Sequence, residues 1–199
     1  MTHSLSPHTF RERRNALANM VQGPILLQGN GLRARNLPMT SLPSRQDSTF
    51  LYFTGCSKPN ASALLEDGRC TLFLPAPGED DALWHGPTPS FESLKEYYGV
   101  DDILPISQRQ EALGSSTPKT LAVPDENQNR ILETLVGKPL VFGVHHGDAD
   151  LVQATIALRR TKSAEELHQL RQSAAFTAAA HRAVMRSTHP GTHERSLAA

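Results

Sequence analysis

The rhythm of apolar positions along the first 145 residues alternates between helical and extended periods. Ser6-Pro7 reads as an N-cap followed by proline at the first helical position, and Phe10, Leu17, Met20 and Val21 share one face of the helix that follows. That helix stops near Gly23-Pro24, and Ile25-Leu26-Leu27 reads as a short buried strand. Between Gly29 and Ser44 the turn formers Asn30-Gly31, Asn36, Pro38 and Pro43 predict loop. Thr49-Phe50-Leu51-Tyr52-Phe53 is β-branched and aromatic and is closed by Gly55, so a strand is expected there. Ala63-Leu64-Leu65, then Glu66-Asp67-Gly68, then Cys70-Thr71-Leu72-Phe73-Leu74 predicts a hairpin, Asp-Gly supplying the positive-φ turn. A helix is expected over Ser90 to Tyr98, with Phe91, Leu94 and Tyr98 on one side. Leu121-Ala122-Val123 and Leu140-Val141-Phe142-Gly143-Val144 read as further strands, separated by a helix from about Asn127 to Leu135. This mixture predicts the α/β class, with a mixed β-sheet flanked by helices.

The last third is different. Ser163-Ala164-Glu165-Glu166 has the capping-box pattern, in which the Ser hydroxyl and the Glu carboxylate satisfy free backbone N–H groups reciprocally. Leu167, Leu170, Ala174, Ala178 and Met185 then recur at helical spacing, predicting a helix of about seven turns that ends at Pro190-Gly191. So long an apolar, Ala-rich face calls for a packing partner. Thr192 is the expected cap of another helix at Glu194.

Composition narrows the function classes. Lys+Arg and Asp+Glu number 20 each, so no electrostatic footprint for nucleic acid or an anionic membrane is expected. The short basic runs Arg11-Arg13-Arg14 and Arg159-Arg160-Lys162 read as solvated helix faces. No stretch reaches the roughly 18 apolar residues of a membrane span, and the first residues lack a signal-peptide pattern. Cys56 and Cys70 are too few for a disulfide framework or a zinc site. A reducing cytoplasm is the expected location.

Candidate chemistry is sparse. Gly29-Asn30-Gly31-Leu32-Arg33-Ala34 matches the dinucleotide fingerprint G-x-G-x-x-A, but Pro38 and Pro43 leave no room for the helix that must hold the pyrophosphate. His145-His146 with Asp148 and Asp150 invites a metal reading, yet adjacent strand residues point to opposite faces. His189 and His193 have helical zinc-ligand spacing, which Pro190-Gly191 interrupts. Cys56 reads as a small buried residue rather than a nucleophile. No H-E-x-x-H, C-x-x-C, G-x-S-x-G or P-loop is present, so the chain has no self-sufficient catalytic site.

Several stretches, in order, carry a resemblance. Arg45-Gln46-Asp47-Ser48-Thr49-Phe50-Leu51-Tyr52-Phe53-Thr54-Gly55 resembles the R-Q-[DN]-S-x-F-x-Y-x-T-G motif of Xaa-Pro aminopeptidases (aminopeptidase P) and the related prolidases. Thr71 to Pro75 with Leu83-Trp84-His85-Gly86 resembles that family's next strand and W-x-G turn, and Tyr98 to Asp102 extends the match. Leu158 to Leu167, with Ala180 to Met185 and Pro190-Gly191, resembles the start of the catalytic domain.

The resemblance implies a creatinase-type N-terminal domain over residues 1–155, then a linker and the first helix of a truncated "pita-bread" metallopeptidase domain over 156–199. In such enzymes two divalent ions, often manganese, are held by two Asp, one His and two Glu, and they activate a water against the bond before proline. No residue of this chain matches those ligands, so no metal is expected on this fragment. Its implied roles are homo-oligomer assembly and shaping of the substrate pocket. In some relatives the tryptophan that Trp84 matches reaches a neighbouring subunit's active site. Arg45, Gln46 and Asp47 are expected to hold the loop through backbone hydrogen bonds. Three readings of the parent stay open: aminopeptidase, dipeptidase (prolidase), or a catalytically dead relative that binds peptide or protein.

Overall fold

The computed structural model describes residues 5–37, 40–78, 81–87, 89–144 and 146–198, with Trp84 and His85 described by backbone alone. In chain order the elements are α1 (Pro7–Met20), β1 (Ile25–Gln28), α2 (Ser48–Thr54), β2 (Ser62–Glu66), β3 (Arg69–Leu74), α3 (Asp81–His85), α4 (Phe91–Tyr98) and β4 (Asp102–Pro105). After a 3₁₀ turn at Ile106–Gln108 come α5 (Arg109–Leu113), β5 (Lys119–Thr120), α6 (Glu126–Val136), α7 (Ala149–Arg160), α8 (Ala164–Ser187) and α9 (Glu194–Leu197). The chain divides into two compact units, the first running to Arg160 and the second beginning at Thr161.

The described strands of the first unit form a mixed sheet in the order β4-β3-β2-β1-β5. The β1–β2 and β2–β3 pairs are antiparallel, and the β3–β4 and β1–β5 pairs are parallel. The β2–β3 hairpin turns at Asp67 (φ 49°) and Gly68 (φ 74°), the two positive dihedrals that its Asp-Gly predicts. Alternate strand residues face opposite sides. Ile25, Leu27, Ala63, Leu65, Leu72 and Leu74 pack against α1, α2, α4 and α7. Leu26, Leu64 and Phe73 pack against α5 and α6. Both faces are covered, which is why these strands read as unbroken apolar runs.

Three sequence expectations are corrected. Residues Thr49 to Phe53 form the helix α2 and not a strand. The Asp47 carboxylate caps the first turn, Gly55 closes the last in a left-handed conformation (φ 66°), and Phe50, Phe53 and Thr54 bury at helical spacing while Leu51 stays exposed. These caps outweigh the β-propensity of five residues. Leu140 to Val144 is not a strand either: Leu140 is buried, whereas Val141, Phe142 and Val144 are exposed on a turn. The strand expected at Leu121 to Val123 falls two residues earlier, where Lys119 and Thr120 pair in parallel with Ile25 and Leu26 of β1. Leu121 makes an isolated bridge to Gly147. Helix α7 and strand β4 were not expected.

In the second unit, α8 opens with the full capping box between Ser163 and Glu166. None of its residues is buried, and Leu170, Phe176 and Met185 are exposed. Helix α9 is capped by His193 rather than Thr192. No helix among the described residues is long and apolar enough to cross a membrane.

Candidate functional site

The most elaborate polar construction lies where β1 ends. The Gln46 side-chain amide ties three backbone segments together: its Oε1 accepts from the N–H groups of Asn30 (2.6 Å) and Asp47 (2.8 Å), and its Nε2 donates to the Lys58 carbonyl (2.8 Å). Asp47 Oδ1 accepts from the N–H groups of Thr49 (2.9 Å) and Phe50 (2.8 Å), which opens α2. Asn30 Nδ2 donates to the Arg45 carbonyl (3.0 Å), while the Arg45 side chain is exposed beside a cleft of about 260 Å³ shared with Arg33 and Asp125. Asp47→Ala removes the acceptor for two orphan donors and is expected to destabilise the chain by about 1 kcal/mol. Urea denaturation checks this, with Asp47→Asn expected to retain most of the cap.

Beneath this loop runs a buried network. Arg109 Nη1 donates to Gln28 Oε1 (2.9 Å) and Ser62 Oγ (3.2 Å), Gln28 Nε2 donates to Gln128 Oε1 (2.7 Å), and Gln128 Nε2 donates to Asn60 Oδ1 (2.9 Å). Arg109 is 8% exposed, and burial lowers its pKa from the usual guanidinium value. No carboxylate among the described residues pairs with it. The network explains the glycines of the dinucleotide-like run. A Cβ on Gly31 would meet Asn60 Oδ1 at 2.6 Å and Gln128 Nε2 at 2.7 Å. The missing side chain makes room for this network, and no helix follows Gly31 to receive a pyrophosphate.

The other sequence candidates disperse. Asp148 Oδ2 accepts from the Thr120 N–H (2.8 Å) and pairs with Lys138, and Asp150 pairs with Lys119. The hydrogen bond from Lys119 is the main influence holding the Asp150 carboxyl below its usual range. His145 lies outside the described residues. His193 Nδ1 caps α9, and the His189 N–H donates to Thr192 Oγ1 (2.9 Å). Among the described residues no group of three His, Cys, Asp or Glu side chains is placed to hold a metal ion. Cys56 is fully buried, and burial pushes its thiol pKa up, which disfavours the thiolate a nucleophile needs. Trp84 lies in α3 by its backbone, and its side chain is outside the described residues.

Two residues of the supposed solvated face prove structural. Arg13 (8% exposed) and Arg14 (3%) are buried. Arg13 Nη1 donates to the Tyr52 carbonyl (2.9 Å), with its guanidinium 4.0 Å from the Tyr52 ring centre. Arg14 donates to the carbonyls of Phe53 (2.9 Å) and Gly99. Both therefore serve the carbonyls that end α2. The sequence did hold the signal: positions 10, 13, 14, 17 and 21 form one helical stripe, and two of the five are arginine. Arg159 is likewise half-buried and donates to Thr49 Oγ1 (3.0 Å).

The sequence profile described as "Aminopeptidase P, N-terminal domain" matches residues 10–122, more than half of the chain. This chain belongs to the aminopeptidase P N-terminal domain family. A probable Xaa-Pro aminopeptidase of Uncinocarpus reesii is 28% identical over 186 residues, covering 89% of this chain and 37% of that protein. The human Xaa-Pro dipeptidase is 28% identical over 179 residues, covering 87% of this chain and 36% of that protein. Among solved structures, E. coli aminopeptidase P with the inhibitor Pro-Leu superposes with a TM-score of 0.80 at 25% identity, over 97% of this chain and 47% of that one. This aminopeptidase P-type chain thus spans little more than a third of those relatives' length and about half of the solved neighbour's. The mixed sheet with helices on both faces is the architecture that this neighbour shares.

Proposed function

We propose that this chain is the non-catalytic N-terminal domain of a metal-dependent Xaa-Pro aminopeptidase, an enzyme that removes the residue preceding proline from a peptide's N-terminus. The likeness to E. coli aminopeptidase P along 97% of the chain carries this reading. In it, residues 1–155 are the N-terminal domain, and 156–199 are the linker and first helix of the catalytic domain. The division of the chain after Arg160 supports a junction in this stretch. Two divalent ions, manganese in this reading, would activate the attacking water in the parent enzyme. The described residues supply no donor set for them. The tasks proposed for this domain, on its resemblance to the family, are homo-oligomer assembly and pocket shaping in a cytoplasmic enzyme.

The direct test is an assay of the purified 199-residue chain on Xaa-Pro peptides with added manganese. No turnover above a buffer blank is expected, and metal-dependent hydrolysis that follows the chain through purification would overturn the reading. A second test concerns Trp84, which lies before Gly86 in the family's W-x-G turn. If it shapes a neighbour's pocket, Trp84→Ala in the full-length enzyme changes the ratio of kcat/KM for short and long Xaa-Pro peptides with little effect on Tm. Unchanged ratios with a large fall in Tm would make it a packing residue. The similarity to the human Xaa-Pro dipeptidase supports a second reading, in which the parent cleaves only dipeptides. Comparing Xaa-Pro with Xaa-Pro-Xaa substrates on the full-length enzyme separates the two.

A further inference from the structure

Between β1 and α2 the chain makes an excursion whose charge is one-sided. Residues 29–46 include Arg33, Arg35 and Arg45 and no Asp or Glu. The excursion doubles back on itself: the Leu42 N–H donates to the Arg33 carbonyl (2.8 Å) and the Arg35 N–H to the Thr40 carbonyl (2.7 Å). Arg33, Leu42 and Arg45 line one cleft of about 260 Å³, together with Asn30-Gly31, which follows β1, and Pro124-Asp125, which leads into α6. Because β1 and β5 are parallel neighbours, this cleft lies beyond the carboxyl ends of two parallel strands, where α/β sheets bind their ligands.

The polar groups of this cleft are unequally occupied. Its one carboxylate, Asp125, is buried and already engaged through both oxygens. Oδ1 accepts from the Asn127 (3.0 Å) and Gln128 (3.4 Å) N–H groups that open α6, and Oδ2 accepts from the Gly31 N–H (3.0 Å). Arg33 donates to the exposed Pro124 carbonyl (3.0 Å). The exposed Arg45 guanidinium has no hydrogen-bond or ion-pair partner among the described residues. Asn30 Nδ2 donates to the Arg45 carbonyl (3.0 Å), which fixes the orientation of the amide and leaves Oδ1 buried without a hydrogen-bond partner. A desolvated acceptor of this kind is uncommon in a folded protein. The cleft therefore lacks two things, an anion for its arginines and an N–H or O–H donor for Asn30. Leu42, Pro43 and Pro124 add an apolar side.

We propose that this cleft binds the C-terminal residue of a peptide, with its carboxylate on Arg45 and Arg33, its amide N–H on Asn30 Oδ1, and its side chain against Leu42, Pro43 and Pro124. A guanidinium presents paired donors that match a carboxylate. An inorganic anion would answer the arginines and leave the apolar side bare. The volume lies below the roughly 300–1,000 Å³ of cofactor or drug-sized pockets, so it suits a single residue. An N-acylated amino acid shares this chemistry and is the other source of such a ligand. The assignment stands apart from the peptidase reading, since every residue it uses lies in the first unit of the chain.

The experiment is a ¹⁵N-resolved NMR titration of the 199-residue chain with Gly-Gly-Leu, N-acetyl-leucine, N-acetyl-leucinamide and 4-methylpentanoate. The third probe lacks the carboxylate, and the fourth lacks the N–H donor. Saturable shifts of the Gly31, Ser44 and Arg45 amides are expected with the tripeptide. N-acetyl-leucinamide and 4-methylpentanoate are each expected to bind roughly tenfold more weakly or worse. Binding of N-acetyl-leucine as tight as that of the tripeptide shows that the terminal residue suffices; binding of the tripeptide alone assigns the site to peptides. Arg45→Gln, at an exposed side chain with no partner to lose, is expected to weaken binding roughly tenfold with Tm unchanged. Arg33→Gln is expected to weaken it several-fold. The proposal is overturned if neither the tripeptide nor N-acetyl-leucine gives a saturable shift, if either of the two incomplete probes binds as well as they do, or if both variants bind like the wild type.

Discussion

Gly147→Ala is expected to destabilise the chain by roughly 3–5 kcal/mol, since an added Cβ there makes the closest approach of any glycine position described. Gly147 has φ +129°, and a Cβ there would lie 2.1 Å from the Thr120 carbonyl oxygen and 2.9 Å from the Leu121 Cα. Those atoms are backbone of β5 and of the residue that follows it, so no side chain can swing aside. Relief requires breaking the pairing that brings Gly147 there. The Ala122 N–H donates to the His146 carbonyl (2.7 Å), the Asp148 N–H donates to the Thr120 carbonyl (3.1 Å), and the Thr120 N–H donates to Asp148 Oδ2 (2.8 Å). Gly143 is the control, since its φ of +81° is also positive but nothing lies within 4 Å of its Cβ position. Gly143→Ala carries only the dihedral strain and is expected to lose about 1 kcal/mol. Urea unfolding of the pair measures the difference. Equal losses for the two variants would show that the close approach at Gly147 contributes nothing.

Arg14→Met is expected to remove roughly 2–4 kcal/mol, seen as a fall in Tm of roughly 5–15 °C for a unit of this size. The exchange keeps much of the volume and removes a cation whose burial is unfavourable, as the lowering of its pKa by desolvation records. Replacing a buried charge by a hydrophobe is often neutral when its partner is replaced too. Here the partners are the Phe53 and Gly99 carbonyls, which no side-chain substitution removes. The Phe53 carbonyl would stay buried with an acceptor unfilled, and the part-buried Gly99 carbonyl would keep only the longer bond from Arg11 Nη2 (3.4 Å), so the loss outweighs the gain. Arg14→Lys reaches one carbonyl at most and is expected to fall between wild type and Met. A change in Tm below about 2 °C for Arg14→Met would mean that water fills both positions.

Helix α2 shows where sequence reading stops. Its residues favour strand by composition, and a window centred on Thr49 to Phe53 contains no helical period long enough to recognise. The caps at Asp47 and Gly55 were visible as letters, but their meaning depends on whether the chain between them turns or extends. The two arginines on α1 teach the same lesson from the other side. Their spacing placed them on the buried stripe, yet a charge on such a stripe is costly unless something accepts its hydrogen bonds, and those acceptors come from 39 positions further along the chain. Gln28, Gln128 and Arg109 join across separations of 81 and 100 residues, beyond the reach of any local pattern.

The sequence by itself determined the α/β class, the β2–β3 hairpin, the capped helices α1 and α8, the helices α4 and α6, and the ordered motifs that mark an aminopeptidase P N-terminal domain. Each of these rests on interactions within a few residues, such as a cap, an Asp-Gly turn or a buried period. Tertiary structure alone decided that the aromatic run becomes a helix, that Arg13 and Arg14 are buried, that Gly147 lies against the backbone of Thr120 and Leu121, and that β1 and β5 meet beside a cleft. These depend on hydrogen-bond partners and excluded volume brought from distant segments, and a linear pattern carries no record of which distant atom will stand 2.1 Å away.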